Sequence, residues 1–167
     1  KATNKQIASG LPKWLYKKLE SEYKNGFADL AANMQVKAPI WLRVNTRKLS
    51  HAHFSEELET AGIEYTVSSE HPEAVLLSNG YDVTSLPGFD VGWFAVQDGA
   101  AQLAAHYLKP EQAETILDCC AAPGGKTCHI IEFQPNIAKT VALEIDAKRA
   151  VRIEENLVRL GHSAEII

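Results

Sequence analysis

The sequence predicts an α/β protein in two parts: a small α+β unit over residues 1–90, then the N-terminal half of a Rossmann-like domain over residues 91–167. Three observations carry this. After Asp90, strand-like runs alternate with helix-like ones, the order from which right-handed crossovers build a doubly wound parallel sheet. A glycine-rich loop separates one of those strands from the helix that follows it. Before Asp90 the short strand candidates lack that alternation, and the turn residues Leu86-Pro87-Gly88-Phe89 punctuate the join.

In chain order, Leu11, Leu15, Leu19 and Tyr23 recur at every fourth position, which predicts an amphipathic helix with Pro12 tolerated in its first turn. A short helix is expected over Phe27 to Met34. Pro39 then introduces Ile40 to Asn45, where Ile40, Leu42 and Val44 alternate with Trp41, Arg43 and Asn45 as in a half-buried strand. Phe54, Leu58 and Ala61 mark a helix stopped by Gly62, and Ile63 to Val67 and Ala74 to Ser78 are short strands. Beyond the join, Trp93 to Val96 reads as a strand, Gly99 to Leu108 as a helix ended by Pro110, and Thr115 to Asp118 as a buried strand. Lys126 to Phe133 is the next helix and Thr140 to Glu144 the next strand. Asp146 caps a helix whose buried face is Ala150, Ile153, Leu157 and Leu160, closed by Gly161. Ala164 to Ile167 starts a further strand, so the second part reads as a truncated domain.

Composition narrows the class. With 167 residues, 46% hydrophobic and 23% charged, the chain fits a folded soluble protein of one medium domain or two small ones. No apolar run nears the ~20 residues that cross a bilayer, and Lys1 to Gly10 lacks the apolar stretch of a signal peptide. No membrane is expected, and a cytoplasmic location is the default. The net charge of -4 gives no electrostatic argument for nucleic acid, whose binders usually carry a basic patch. Cys119, Cys120 and Cys128 are odd in number and clustered, which suits reduced thiols better than a disulfide framework. Their spacing, with His129, does not make paired zinc-ligand clusters, and no metal is expected. The histidines, including His51, His53 and His71, fall in polar stretches without ligand spacing and read as surface residues.

The segment from Ile116 to Thr127 carries the chemistry. A strand ends at Asp118, small residues and Gly124-Gly125 turn the chain, and a helix begins near Lys126. Backbone N–H groups are left free at the strand's carboxyl end, where a ligand can approach closely. Glu144 stands 20 positions after Gly124, the offset at which a Rossmann-type acid meets ribose hydroxyls. The competing reading is a tight turn beside a solvated strand end. Loop, acid and strand-helix context together favour a nucleoside cofactor site without choosing the cofactor. Gly125-Lys126-Thr127 matches the end of a phosphate-binding loop, but Cys120 stands where its first glycine belongs, which leaves nucleoside triphosphate binding as the runner-up. The dinucleotide pattern G-x-G-x-x-G is absent.

Cys120 to Thr127 resembles the cofactor motif of the RNA cytosine-5 methyltransferases. Trp41-Leu42-Arg43-Val44-Asn45, Leu86-Pro87-Gly88-Phe89, Val96-Gln97-Asp98 and Asn156-Leu157 to Leu160-Gly161 are similar to the members that act on small-subunit ribosomal RNA. The resemblance implies an RNA-recognition-like domain followed by a Rossmann-like methyltransferase domain that uses S-adenosylmethionine. It implies that Cys120, Ala121, Ala122, Pro123, Gly124, Gly125 and Lys126 wrap the cofactor and that Glu144, where relatives commonly have Asp, holds the ribose. Catalysis in the family uses a cysteine thiolate that attacks cytosine C6, with a second cysteine aiding release. These lie in Pro-Cys and Thr-Cys motifs on later strands, and neither motif has a counterpart here, since Thr127-Cys128 falls inside the cofactor helix. Catalytic residues are therefore expected outside this chain, and Cys120 is read as shaping the loop. An inactive RNA-binding module that keeps the fold without the chemistry is the alternative.

Other residues divide between two readings. Arg43 and Asn45, on the polar face of their strand, suit either RNA contacts or a solvated face. Trp14, Trp41 and Trp93, widely separated, are expected to pack rather than stack on bases. Asp98 is read as a helix cap.

Overall fold

The computed structural model describes residues 5–78 and 80–167 and divides into two units, one up to Ala38 and one over Pro39–Ile167. Lys1 to Asn4, at the start of the stretch read for a leader, and Asn79 lie outside the described residues. The first unit is helical: α1 (Lys5–Ala8), α2 (Lys13–Tyr23) and, after a 3-10 turn, α3 (Phe27–Asn33). Pro12 takes the N-cap position of α2, as its missing N–H permits. The Tyr16 ring meets Phe27 edge-on at 4.8 Å. Yet α2 buries none of its residues, and Trp14 is 67% exposed, so the packing expected of that tryptophan is not found.

The second unit begins with β1 (Ile40–Val44), α4 (His51–Thr60), β2 (Tyr65–Val67), β3 (Ala74–Leu77) and β4 (Phe94–Val96), which form an antiparallel sheet in the order β2-β3-β1-β4. Ser50 caps α4 by accepting the His53 N–H, and the α4 side chains Phe54 and Leu58 pack on Leu42, Val44, Val75, Leu77 and Phe94. The strand expected at 93–96 to open the second part instead closes this first sheet, pairing Leu42 with Val96 and Val44 with Phe94. Gly88 makes the turn that leads there. Its φ of +80° is left-handed, and a Cβ on it would run into the Trp93 ring.

β1 departs from a half-buried strand. Leu42, Arg43, Val44 and Asn45 are all fully buried, because the face expected to meet solvent is covered. Asn45 donates from Nδ2 to the Gly92 carbonyl (3.1 Å) and the Leu160 carbonyl (3.2 Å). Neither Arg43 nor Asn45 is available to RNA.

The remaining elements are α5 (Gly99–Leu108), β5 (Thr115–Asp118), α6 (Gly125–Phe133), β6 (Lys139–Ala142), α7 (Ala147–Leu160) and β7 (Glu165–Ile166). Their three strands form a parallel sheet in the order β5-β6-β7, as the strand-helix alternation predicts. Asp98 caps α5 through Ala100 N, and Asp146 caps α7 through Lys148 N and Arg149 N. Ile153, Leu157 and Leu160 of α7 pack with Ala95, Ala121, Cys128 and Ala142. β5 is not buried as expected. It is the edge strand, with β6 as its one partner among the described residues, and Leu117 is exposed. Among the described residues, no helix is long and apolar enough to cross a membrane.

Candidate cofactor-binding site

The glycine-rich loop runs from the end of β5 into the first turn of α6, and four side chains hold its shape. Asp118 accepts Cys120 N–H at Oδ1 (3.3 Å) and the Thr127 hydroxyl at Oδ2 (2.8 Å), tying both ends of the loop to the strand terminus. Arg149 Nη2 donates to the Ala122 carbonyl at 3.3 Å, and Asn156 Nδ2 to the Pro123 carbonyl at 2.8 Å, both from α7. Inside the loop Gly124 N–H closes a turn on the Ala121 carbonyl, and Ala121 N–H reaches the Leu143 carbonyl at 3.1 Å. The Ala122–Pro123 peptide is cis. Gly124, the N-cap of α6, has φ of +100°, and a Cβ there would press on the Ile153 backbone at 3.3 Å. Glycine lets the loop lie against α7.

Beneath the loop is a buried polar network. Arg43 binds Glu132 with two hydrogen bonds, Nε to Oε2 at 3.0 Å and Nη2 to Oε1 at 2.7 Å, and donates from Nη1 to the Gly125 carbonyl at 2.9 Å and to Gln97 Oε1. His162 Nε2 lies 3.1 Å from Glu132 Oε1. Burial favours a protonated Glu132, but the hydrogen bond with His162 and the Arg43 guanidinium outweigh it and hold the carboxyl below its ordinary range. Arg43 thus joins the first sheet to the first residue of α6. Sequence reading missed this network, since its partners are far apart in the chain; a charged residue flanked by apolar ones in β1 is its sole local signal.

Glu144 stands just past the carboxyl end of β6, where its N–H still reaches the Ile167 carbonyl at 3.0 Å, but it is not solvated. β6 stops at Ala142, and the Glu144 side chain is 4% exposed, its Oε1 accepting Asp146 N–H at 3.1 Å and its Oε2 lying 3.5 Å from Arg149 Nη1. A carboxylate has about four acceptor positions, so capacity remains. Glu144 lines a cleft of about 430 Å³ with Cys119, Cys120, Leu143, Ile145, Arg149 and Ile167, at the carboxyl ends of β5 and β6. That volume falls within the roughly 300–1,000 Å³ of small-molecule sites, and the position is where open α/β sheets bind ligands. Of the expected cofactor residues, Cys120 and Glu144 meet in this cleft. Ala121, Ala122, Pro123, Gly125 and Lys126 line an adjoining recess with Cys120, Val96, Gln97 and Ala101, while Gly124 is buried behind them.

Two strongly shifted groups, Cys128 and His129, lie outside the cleft and the recess. Cys128 is fully buried, and burial, opposed by Arg43 and reinforced by Glu132, pushes its thiol up to about 12. Burial and then the Arg43 charge push His129 down to about 3. The expectation of surface histidines thus fails for His129 and for the His162 side chain, which packing between elements encloses.

Two family models match the chain: a ferredoxin-like domain of RsmF/B-like methyltransferases over residues 11–84, and 16S rRNA methyltransferase RsmB/F over residues 105–167. Among curated proteins, it is 44% identical over 96% of its length to ribosomal RNA small subunit methyltransferase B of Pseudomonas syringae pv. tomato, and 46% identical over 95% to the protein of that name from Vibrio cholerae. The chain spans 36% of each of those relatives. A solved methyltransferase homologue from Pyrococcus horikoshii is 26% identical with a TM-score of 0.80, covering 98% of this chain and 53% of that one.

Proposed function

The chain belongs to the RsmB/F family of methyltransferases, and from that premise we propose that the whole protein transfers a methyl group from S-adenosylmethionine to C5 of a cytosine in small-subunit ribosomal RNA. This chain supplies the cofactor half of the site. The observation that carries the reading is the cleft at the carboxyl ends of β5 and β6, where a turn fixed by Asp118, Arg149 and Asn156 faces a sheltered carboxylate.

The residues present fit the cofactor. Glu144 has lone pairs left for ribose hydroxyls, Cys120 to Lys126 bring backbone close to it, and the cleft is large enough for a nucleoside. S-adenosylmethionine supplies an electrophilic methyl group. Arg149 bridges Glu144 and the Ala122 carbonyl, and Arg43 anchors the Gly125 carbonyl, so the loop and the acid are held in place before a ligand arrives.

C5 of cytosine is a weak nucleophile. A cysteine thiolate bonding to C6 makes it reactive; after methyl transfer, loss of the C5 proton and rupture of the C6–S bond restore the aromatic ring. None of the thiols here is assigned that role. Cys128 is buried and protonated, and Cys119 and Cys120 both line the cofactor cleft. The nucleophile is therefore expected in the rest of the protein, and RNA contacts are expected at residues other than the buried Arg43 and Asn45. The test is incubation of the full-length protein with methyl-labelled cofactor and unmodified small-subunit RNA. Label at cytosine C5, retained when Cys120 is changed to serine, is the expected result; label on another atom or none overturns the reading.

A further inference from the structure

We propose that Glu73, His106 and His129 form a binding site for a divalent transition metal of the zinc class, separate from the cofactor cleft, which none of the three lines. The residues come from three elements. Glu73 precedes β3, its backbone carbonyl accepting Val44 N–H at 2.8 Å; His106 lies in the last turn of α5; His129 lies within α6. One ligand atom from each, a carboxylate oxygen and two imidazole nitrogens, lies within 4.8 Å of the others. Glu73 Oε2 and His106 Nε2 are 2.9 Å apart.

The observation that points to a ligand is His129. It is 2% exposed, and neither Nδ1 nor Nε2 has a hydrogen-bond partner among the described residues. Buried polar groups are nearly always satisfied, and an imidazole with both nitrogens idle lacks an acceptor for its N–H and a use for its lone pair. A metal answers the second need directly. The ring stands 5.7 Å from that of His106, which also meets the Phe133 ring edge-on at 5.0 Å.

The donor set decides the class. Two imidazoles and one carboxylate suit zinc and its neighbours, whereas calcium and magnesium take oxygen ligands and copper(I) favours sulfur. With bonds of about 2.0–2.1 Å, donors around a tetrahedral ion stand roughly 3.3 Å apart, so His106 and Glu73 need to close on His129 by an ångström or so. Both have room, because their side chains are partly exposed, 29% and 17%, and that opening is also the path of entry. Water completes the shell. Bound there, the metal clamps α5 and α6 to the start of β3. The sequence hides the site because its ligands fall on separate elements, 33 residues apart for Glu73 and His106.

The experiment uses the full-length protein stripped with a chelator and titrated with cobalt(II), zinc and, as a control, magnesium. Cobalt is expected to give the visible absorption of a four-coordinate site saturating at one equivalent, zinc to displace it and raise the unfolding midpoint, and magnesium to do neither. His106→Ala and Glu73→Gln, at partly exposed positions that spare the fold, should each weaken this binding at least tenfold. His129→Asn serves as a third variant where circular dichroism shows it folded. Cobalt absorption and zinc stabilisation that persist unchanged in His106→Ala and Glu73→Gln, or that are absent from the parent protein, overturn the proposal. Methyl transfer is read separately and bears only on the cofactor assignment.

Discussion

Cys128 and its neighbours Cys119 and Cys120 share one short stretch of chain, but only Cys128 is enclosed. A thiol reacts as its thiolate, so iodoacetamide at mild alkaline pH should modify Cys119 and Cys120 in the native protein and Cys128 only after unfolding, as mass spectrometry of the labelled peptides would reveal. Early modification of Cys128 would contradict its burial. Glu144 is the second residue whose surroundings set an expectation. Hydrogen bonds to a charged group contribute roughly 1.5–3 kcal/mol, so Glu144→Ala in the full-length protein should weaken S-adenosylmethionine binding by about one to two decades. Glu144→Asp should cost much less. Calorimetric titration checks this, and parent-like affinity in Glu144→Ala would remove the ribose assignment. The sequence located this acid but not its state. Its offset from Gly124 was legible, whereas its shelter depends on Arg149 and on the turn into α7, which spacing does not encode.

Among the elements, α7 was the most legible, since Asp146, the apolar positions Ile153, Leu157 and Leu160, and Gly161 are all local signals. Replacing Asp146 by Ala removes the acceptor for two N–H groups and should lower stability by about 1 kcal/mol in denaturant unfolding. β1 was misread on one face, because alternation reports a polar residue without telling whether a partner covers it. Arg43 is covered. Arg43→Met leaves Glu132 buried beside His162 without its guanidinium, and breaking a buried pair in this way typically costs about 3–5 kcal/mol. Equilibrium unfolding of the variant tests this. The same network sets a pH dependence. Glu132 is faced by Arg43 from β1 and His162 from beyond α7, with Lys48 and Arg159 also sensing its charge. Its folded pKa is lowered, so its contribution is present above the ordinary carboxyl range and is lost as pH falls through the folded value. Glu132→Gln should flatten the acid limb of stability against pH, and an unchanged limb would assign that limb to other groups.

For the molecule as a whole, the order of strands and helices was legible after Asp90 because each parallel crossover announces itself through strand, loop and helix. The allocation of strands to sheets was not. Nothing local in Phe94 to Val96 distinguishes a strand opening a parallel sheet from one closing an antiparallel sheet, and pairing with β1 is decided by tertiary packing. At this scale the 167-residue chain by itself should incorporate no methyl label into ribosomal RNA above a blank, since neither the Pro-Cys nor the Thr-Cys catalytic motif has a counterpart in it; incorporation would show that one of its own thiols takes that role. The edge strand β5 has a further consequence for handling the chain. Its outer rim carries main-chain donors and acceptors with no strand neighbour among the described residues, flanked by the exposed Leu117, and such a rim can template the addition of another strand. Preparations of this chain should therefore self-associate as concentration rises, with growing light scattering, and a charged substitution at Leu117 should suppress it.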